Sequence, residues 1–185
     1  KNSAYPTILI LEMGADAPGN IFYLTRLAPC RVGILTTISP THLEKLGSLE
    51  TLEKEKKIII QHLKGNRSCA ILNADDERIF REQSNLSVPV LSYGFNQKAD
   101  VRVKKYYEQY AFRNGIWKSR IDGIIGFQGK EYAFENTHII GTHSLSSLLA
   151  AITGGIFYEI PLSVIMEKIS HITPVPGRMN GLAGI

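Results

Sequence analysis

The 185-residue sequence has only two cysteines, Cys30 and Cys69, far apart and without metal-ligand spacing. That excludes a disulfide framework and reads as buried thiols in a reducing compartment. No apolar run is long enough to span a bilayer and no signal peptide is present, so a cytoplasmic location is expected. Net charge is scarce: 21 basic against 17 acidic side chains leave +4, scattered rather than striped. Such a balance suits an anionic small molecule and argues against a nucleic-acid partner. Internal repeats and low-complexity tracts are missing too, which excludes a solenoid or a linker. What remains, 44% hydrophobic and 21% charged residues, is enough for one domain with a proper core.

Residues 7–16 (TILILEMGAD) carry a continuous apolar run, Ile8 to Leu11, followed by Glu12 and Gly14. The run predicts a strand covered on both faces. A carboxylate at the end of such a strand stands where open α/β sheets bind ligands. Glu12 is either a ligand or the point where the strand reaches water. A Pro/Gly turn (DAPGN) then leads to a short helix with Ile21, Leu24 and Leu27 at helical spacing, stopped by Pro29. Residues 32–38 (VGILTTI) predict a second buried strand, and a loop carrying His42 follows.

Ser48 opens the strongest helix as its N-cap, Glu50 complements the helix dipole, and Gly65 closes it. Leu49, Leu52, Ile59, Ile60 and Leu63 share one face. Lys56 falls on that stripe, four after Leu52, whereas Lys54 and Lys57 fall off it. A lysine there is either a snorkelling side chain or a functional amine. Residues 69–72 predict a third strand ended by Asn-Ala-Asp-Asp, and 76–83 a short helix. Residues 88–91 predict a fourth strand, placed near an edge by Pro89.

From about 98 to 140 the pattern alternates between turns at Asn114-Gly115, Asp122-Gly123 and Gln128-Gly129, which predicts a small antiparallel β insertion distinct from the parallel sheet. Its aromatics read as packing, since no basic stripe accompanies them. Helical spacing returns with Leu145, Leu148, Leu149 and Ile152, and a second helix starts at Pro161. Arg178 lies in a late Pro/Gly turn. The fold class expected is α/β: a mostly parallel sheet flanked by helices, with the β insertion.

EMGADAPGNI, TTISPTHLEKLGS, EKEKKIII, LNADD, GTHSLSSLLAA and PVPGRM, in that order, resemble the central domain of the Mur ligases, in the pattern of the branch that adds D-alanyl-D-alanine. The resemblance covers essentially all of residues 1–185 and implies a P-loop-NTPase-like sheet. It implies an ATP-dependent amide ligase of peptidoglycan-precursor synthesis, working with ATP and Mg2+. Its partners are a UDP-linked muramoyl peptide and an amino acid or dipeptide, and a monomer is expected. It also implies roles. Glu12 and His42 match the family's magnesium ligands, and His42 its catalytic histidine. Lys56 matches the lysine that is carbamylated in many members, a catalytic residue and metal partner. Arg178, His143 and Ser147 match nucleotide-contacting positions.

The departures are specific. The family's glycine-rich phosphate loop is expected upstream of Lys1 and its closing domain downstream of PVPGRM, so the fragment alone is expected to be inactive. Ser144 and Ser147 stand where the family usually has asparagines, and Thr37 where Asn is common. Serine cannot present a carboxamide to adenine. Two alternatives stand beside the muramoyl-peptide branch: a folylpolyglutamate synthase-like or cyanophycin-type ligase, and a non-catalytic scaffold.

Overall fold

The computed structural model describes residues 6–40, 43–113 and 116–173. Its regular elements begin with helix α1 (Asn20–Leu27), strand β1 (Val32–Leu35), the single turn α2 (Leu43–Leu46) and the long helix α3 (Leu49–Gln61). Strand β2 (Cys69–Asn73), helix α4 (Glu77–Phe80) with a 3-10 extension (Arg81–Asn85), and strand β3 (Val90–Gly94) follow. Strands β4 (Val101–Arg113), β5 (Ile116–Phe127) and β6 (Lys130–Asn136) precede helices α5 (Gly141–Phe157) and α6 (Leu162–Ile169).

The strands form one six-stranded sheet in the order β1-β2-β3-β4-β5-β6. β1 through β4 pair in parallel and β4 through β6 antiparallel. The antiparallel segment continues the same sheet, through Tyr93 opposite Val101 and Gly94 opposite Arg102. The β3–β4 ladder stays short beside Asp100, whose Oδ2 accepts from both the Ser92 amide (2.8 Å) and the Ser92 hydroxyl (2.7 Å).

Side-chain alternation sorts the core onto two faces. Cys69 and Ile71 of β2 join Tyr93, Leu145, Leu149 and Ile152 under α5. Ala70 and Leu72 join Leu35, Ile60, Leu63 and Ile79 under α3 and α4. β2 is buried along its whole length, as a parallel strand covered on both faces must be.

Two expected strands are corrected. Ile8, Leu9, Ile10 and Leu11 form no ladder, and Leu9 is 71% and Ile10 87% exposed. The apolar run gave the strand signal, but a strand exists only by pairing, and none is formed there among the described residues. Met13 and Ala15, just beyond, do pack with Ile21, Leu46 and Leu52. The fourth expected strand is not near an edge either: β3 lies between β2 and β4, and Pro89 precedes it, its carbonyl accepting from Ala70 N at 3.0 Å. A proline just before the first strand residue needs no ladder donor.

The helix expectations fare better. Ser48 caps α3 by accepting from the Thr51 amide at 3.2 Å. Gly65, at φ +86°, sits in the turn after the helix rather than at its last residue. α3 lies directly on β1 at Gly33, where a Cβ would come 3.0 Å from the Ile59 carbonyl and 3.2 Å from Ile60. Cys30, half-buried just before β1, lies in the same seam, its Sγ 3.9 Å from the Ile59 carbonyl. A Gly33→Val substitution puts a Cβ against the Ile59 carbonyl and the Ile60 and Leu63 side chains, with two further methyls to place, and is expected to cost about 1–3 kcal/mol. The check is the chain's urea unfolding midpoint, which falls; an unchanged midpoint refutes the close packing of α3 on β1.

Candidate functional site at the carboxyl ends of β1 and β2

The side chains that build this region come from α3 and from the Asn-Ala-Asp-Asp turn after β2. On α3, Lys56 is half-buried, and its Nζ donates to the Thr37 carbonyl at 2.8 Å. Burial pushes its ammonium pKa below the ordinary lysine range, and the nearby Asp76 charge partly opposes the shift. The contact uses the Thr37 backbone, so a threonine in place of asparagine leaves it intact.

At the end of β2, Asn73 donates from Nδ2 to the Thr36 carbonyl (2.8 Å) and accepts from the Asp75 amide through Oδ1 (2.9 Å). Asp76 accepts the Ile38 amide at Oδ2 (2.9 Å) and caps α4 by accepting the Arg78 amide at Oδ1 (3.1 Å). Asp75 turns the other way and accepts the Phe95 and Asn96 amides after β3. The turn thus ties the segments leaving β1 and β3 to the end of β2.

Three charged residues without a role in the sequence reading, Glu55, Lys57 and Glu82, are buried. Glu55 is 5% exposed and caps α1, accepting the Ile21 amide at 2.7 Å and the Gly19 amide at 2.9 Å. Lys57, expected off the apolar stripe, is buried instead and donates to Glu82 (2.8 Å) and to Glu53, which also pairs with Arg81. A sequence signal existed for Glu55, three after Leu52 and four before Ile59. None existed for Lys57, whose burial depends on the 3-10 turn that brings Glu82 to it.

Of the other expected site residues, Glu12 lies on the exposed extended segment, anchored by the packing of Met13 and Ala15. His143 and Ser147 share the exposed side of the first turns of α5, where the Ser147 hydroxyl bonds the His143 carbonyl at 3.2 Å. The Ser144 hydroxyl bonds the Ile140 carbonyl at 2.6 Å. His42 and Arg178 lie outside the described residues. Among the described residues no cluster of three or more histidine, cysteine or carboxylate side chains is gathered. The available donor, an exposed carboxylate at Glu12, fits Mg2+, which takes one or two protein carboxylates and otherwise water or phosphate oxygens.

Two outcomes test this geometry. Glu55→Ala leaves two amides at the start of α1 without their acceptor and is expected to cost about 1–3 kcal/mol, read by urea denaturation. Competitive amine labelling against pH is expected to show Lys56 losing its proton below the ordinary lysine range. The folded chain holds that proton less tightly than the unfolded one. Stability therefore rises with pH across the alkaline window between the two values.

The Mur ligase middle domain family matches residues 2–154. The chain is 27% identical over 155 residues to a UDP-N-acetylmuramoyl-L-alanyl-D-glutamate–2,6-diaminopimelate ligase of Geobacillus thermodenitrificans, covering 80% of the chain and 30% of that protein. It is 29% identical over 153 residues to the UDP-N-acetylmuramoyl-tripeptide–D-alanyl-D-alanine ligase of Bacillus subtilis, covering 83% of the chain and 30% of the relative. In fold it is similar to a MurF ligase of Thermotoga maritima solved in complex with ADP, with a TM-score of 0.74 and 22% identity over 91% of the chain and 36% of that protein. The chain thus spans about a third of the length of the proteins it matches. By this match over most of its length, the chain belongs to the Mur ligase middle domain family.

Proposed function

We propose that this chain is the nucleotide-binding middle domain of an ATP-dependent amide ligase of peptidoglycan-precursor synthesis. The ligase joins an amino acid or D-alanyl-D-alanine to a UDP-linked muramoyl peptide. The observation that carries the reading is Lys56, a half-buried amine on α3 at the carboxyl end of β1, in a chain of this family. ATP phosphorylates the peptide carboxylate, the incoming amine attacks the acyl phosphate, and the collapse releases phosphate and the new amide. Two anions must meet for the first step, so positive charge has to be supplied to the site. Glu12 and His42 would hold Mg2+, which when bound neutralises phosphate charge.

The chain's own residues do the rest. Desolvation favours the neutral Lys56 amine, the form that reacts with carbon dioxide to give a carbamate able to join Glu12 and His42. Arg178 would meet the nucleotide's phosphates or ribose, and His143 and Ser147, at the start of α5, would contact the nucleotide as well. No helix among the described residues is long and apolar enough to cross a membrane. We place the enzyme in the cytoplasm as a monomer without nucleic-acid partners.

One observation favours a second reading, a scaffold that has lost nucleotide. Both Ser144 and Ser147 return their hydroxyls to their own helix. The two readings separate on Lys56→Ala in the full-length protein. A ligase loses turnover by about 100-fold or more, with partial recovery on adding short carboxylic acids. Turnover equal to the unsubstituted protein sinks the ligase reading of Lys56, and wild-type protein without MgATP-dependent turnover sinks the enzyme itself.

A further inference from the structure

The Thr37 carbonyl and the Ile38 amide belong to one peptide group. Lys56 Nζ holds its oxygen at 2.8 Å and Asp76 Oδ2 holds its nitrogen at 2.9 Å, from opposite sides. Asn73 Nδ2 fixes the preceding carbonyl, that of Thr36, at 2.8 Å. Three side chains, from α3, from β2 and from the N-cap of α4, therefore grip three successive residues just after β1 ends at Leu35. The register of that grip is set by β1 and β2 pairing side by side, Leu35 opposite Leu72, with Asn73 the next residue of β2.

We propose that Asp76 is a positioning residue, which orients the 37–38 peptide and thereby aims both Lys56 and the segment leading to His42. The inference rests on the ligase reading for its catalytic consequence but not for its geometry. A peptide held only at its oxygen can rotate about that single bond. Held also at its nitrogen, it has one orientation, and its carbonyl stays aimed at the amine of α3. Asp76 suits the task because its second oxygen is occupied by the Arg78 amide, so the carboxylate is itself immobile.

The same double use supplies the control. Asp76→Ser keeps a good helix N-cap for α4 but is too short to reach Ile38 as well, whereas Asp76→Asn keeps one acceptor oxygen at the same reach, which serves the Ile38 amide in place of the Arg78 amide. In the full-length protein, hydrogen–deuterium exchange of the peptide covering 36–38 is expected to quicken in Asp76→Ser and to slow again toward the wild-type rate in Asp76→Asn. Thermal midpoints of the two variants stay together. Ligase kcat is expected to fall about 10- to 100-fold in Asp76→Ser, as misplacement of a site group by about an ångström does, and to recover in part in Asp76→Asn. Unchanged exchange in Asp76→Ser, exchange that Asp76→Asn fails to slow again, or wild-type kcat in Asp76→Ser each overturns the proposal. A wild-type protein without ligase turnover overturns the ligase reading and with it the catalytic half, while the exchange arm still decides the geometric half.

Discussion

Consecutive charged side chains on α3 fix it to three different parts of the domain, and the rest of the arrangement depends on that seating. Glu55 reaches back to the first amides of α1, Lys56 reaches the peptide after β1, and Lys57 reaches Glu82 in the turn after α4. Hydrophobic burial of Leu52 and Ile60 puts the helix on the sheet, but apolar contact is non-directional and would tolerate sliding or rotation. The buried charges do not tolerate it. Displacing the helix by one residue takes the Glu55 carboxylate from both of its amides and Lys57 from Glu82, and the desolvated carboxylate left without partners is far costlier than a rearranged methyl group. The helix is seated by fat and indexed by charge.

The turn after β2 does for the loops what α3 does for the helices. Asn73, Asp75 and Asp76 spend their oxygens and amide hydrogens on backbone groups leaving β1 and β3. These are segments whose carbonyls and amides have left the ladder and have no secondary structure to satisfy them. A short polar turn next to a fully buried strand is therefore a distributor of hydrogen bonds, and the carboxyl end of the sheet takes its shape from it.

What could be read from the chain followed physical range. The α3 stripe, its Ser48 cap, the α5 face and the antiparallel turns are local, and each was visible as spacing or turn chemistry. The error at Ile8 to Leu11 has one cause: apolar composition reports a preference for burial, whereas a strand is a relation between two segments, which one segment cannot announce. Pro89 misled for a similar reason, because the ban on proline in inner strands applies to residues inside the ladder and not to the one before it. At the site, Lys56 was found by its misfit with the stripe. Glu55 was overlooked although its spacing is equally apolar, and Lys57 was invisible because its partner Glu82 comes from a distant turn. That Lys56 and Asp76 meet on the same peptide has no sequence signal, because the two residues are brought together only by the pairing of β1 with β2 and the seating of α3.

The two thiols carry a consequence of their own. Burial pushes both Cys30 and Cys69 up, so neither is a ready nucleophile. Yet their enclosures differ: Cys69 is wholly shut within β2, a strand buried along its whole length, while Cys30 lies half-open where α3 meets β1. Parts of a folded chain open with different free energies, the centre of a sheet last of all. The chain therefore carries two internal clocks, one sulfur timing the loosening of a single seam and the other timing the loss of the whole fold.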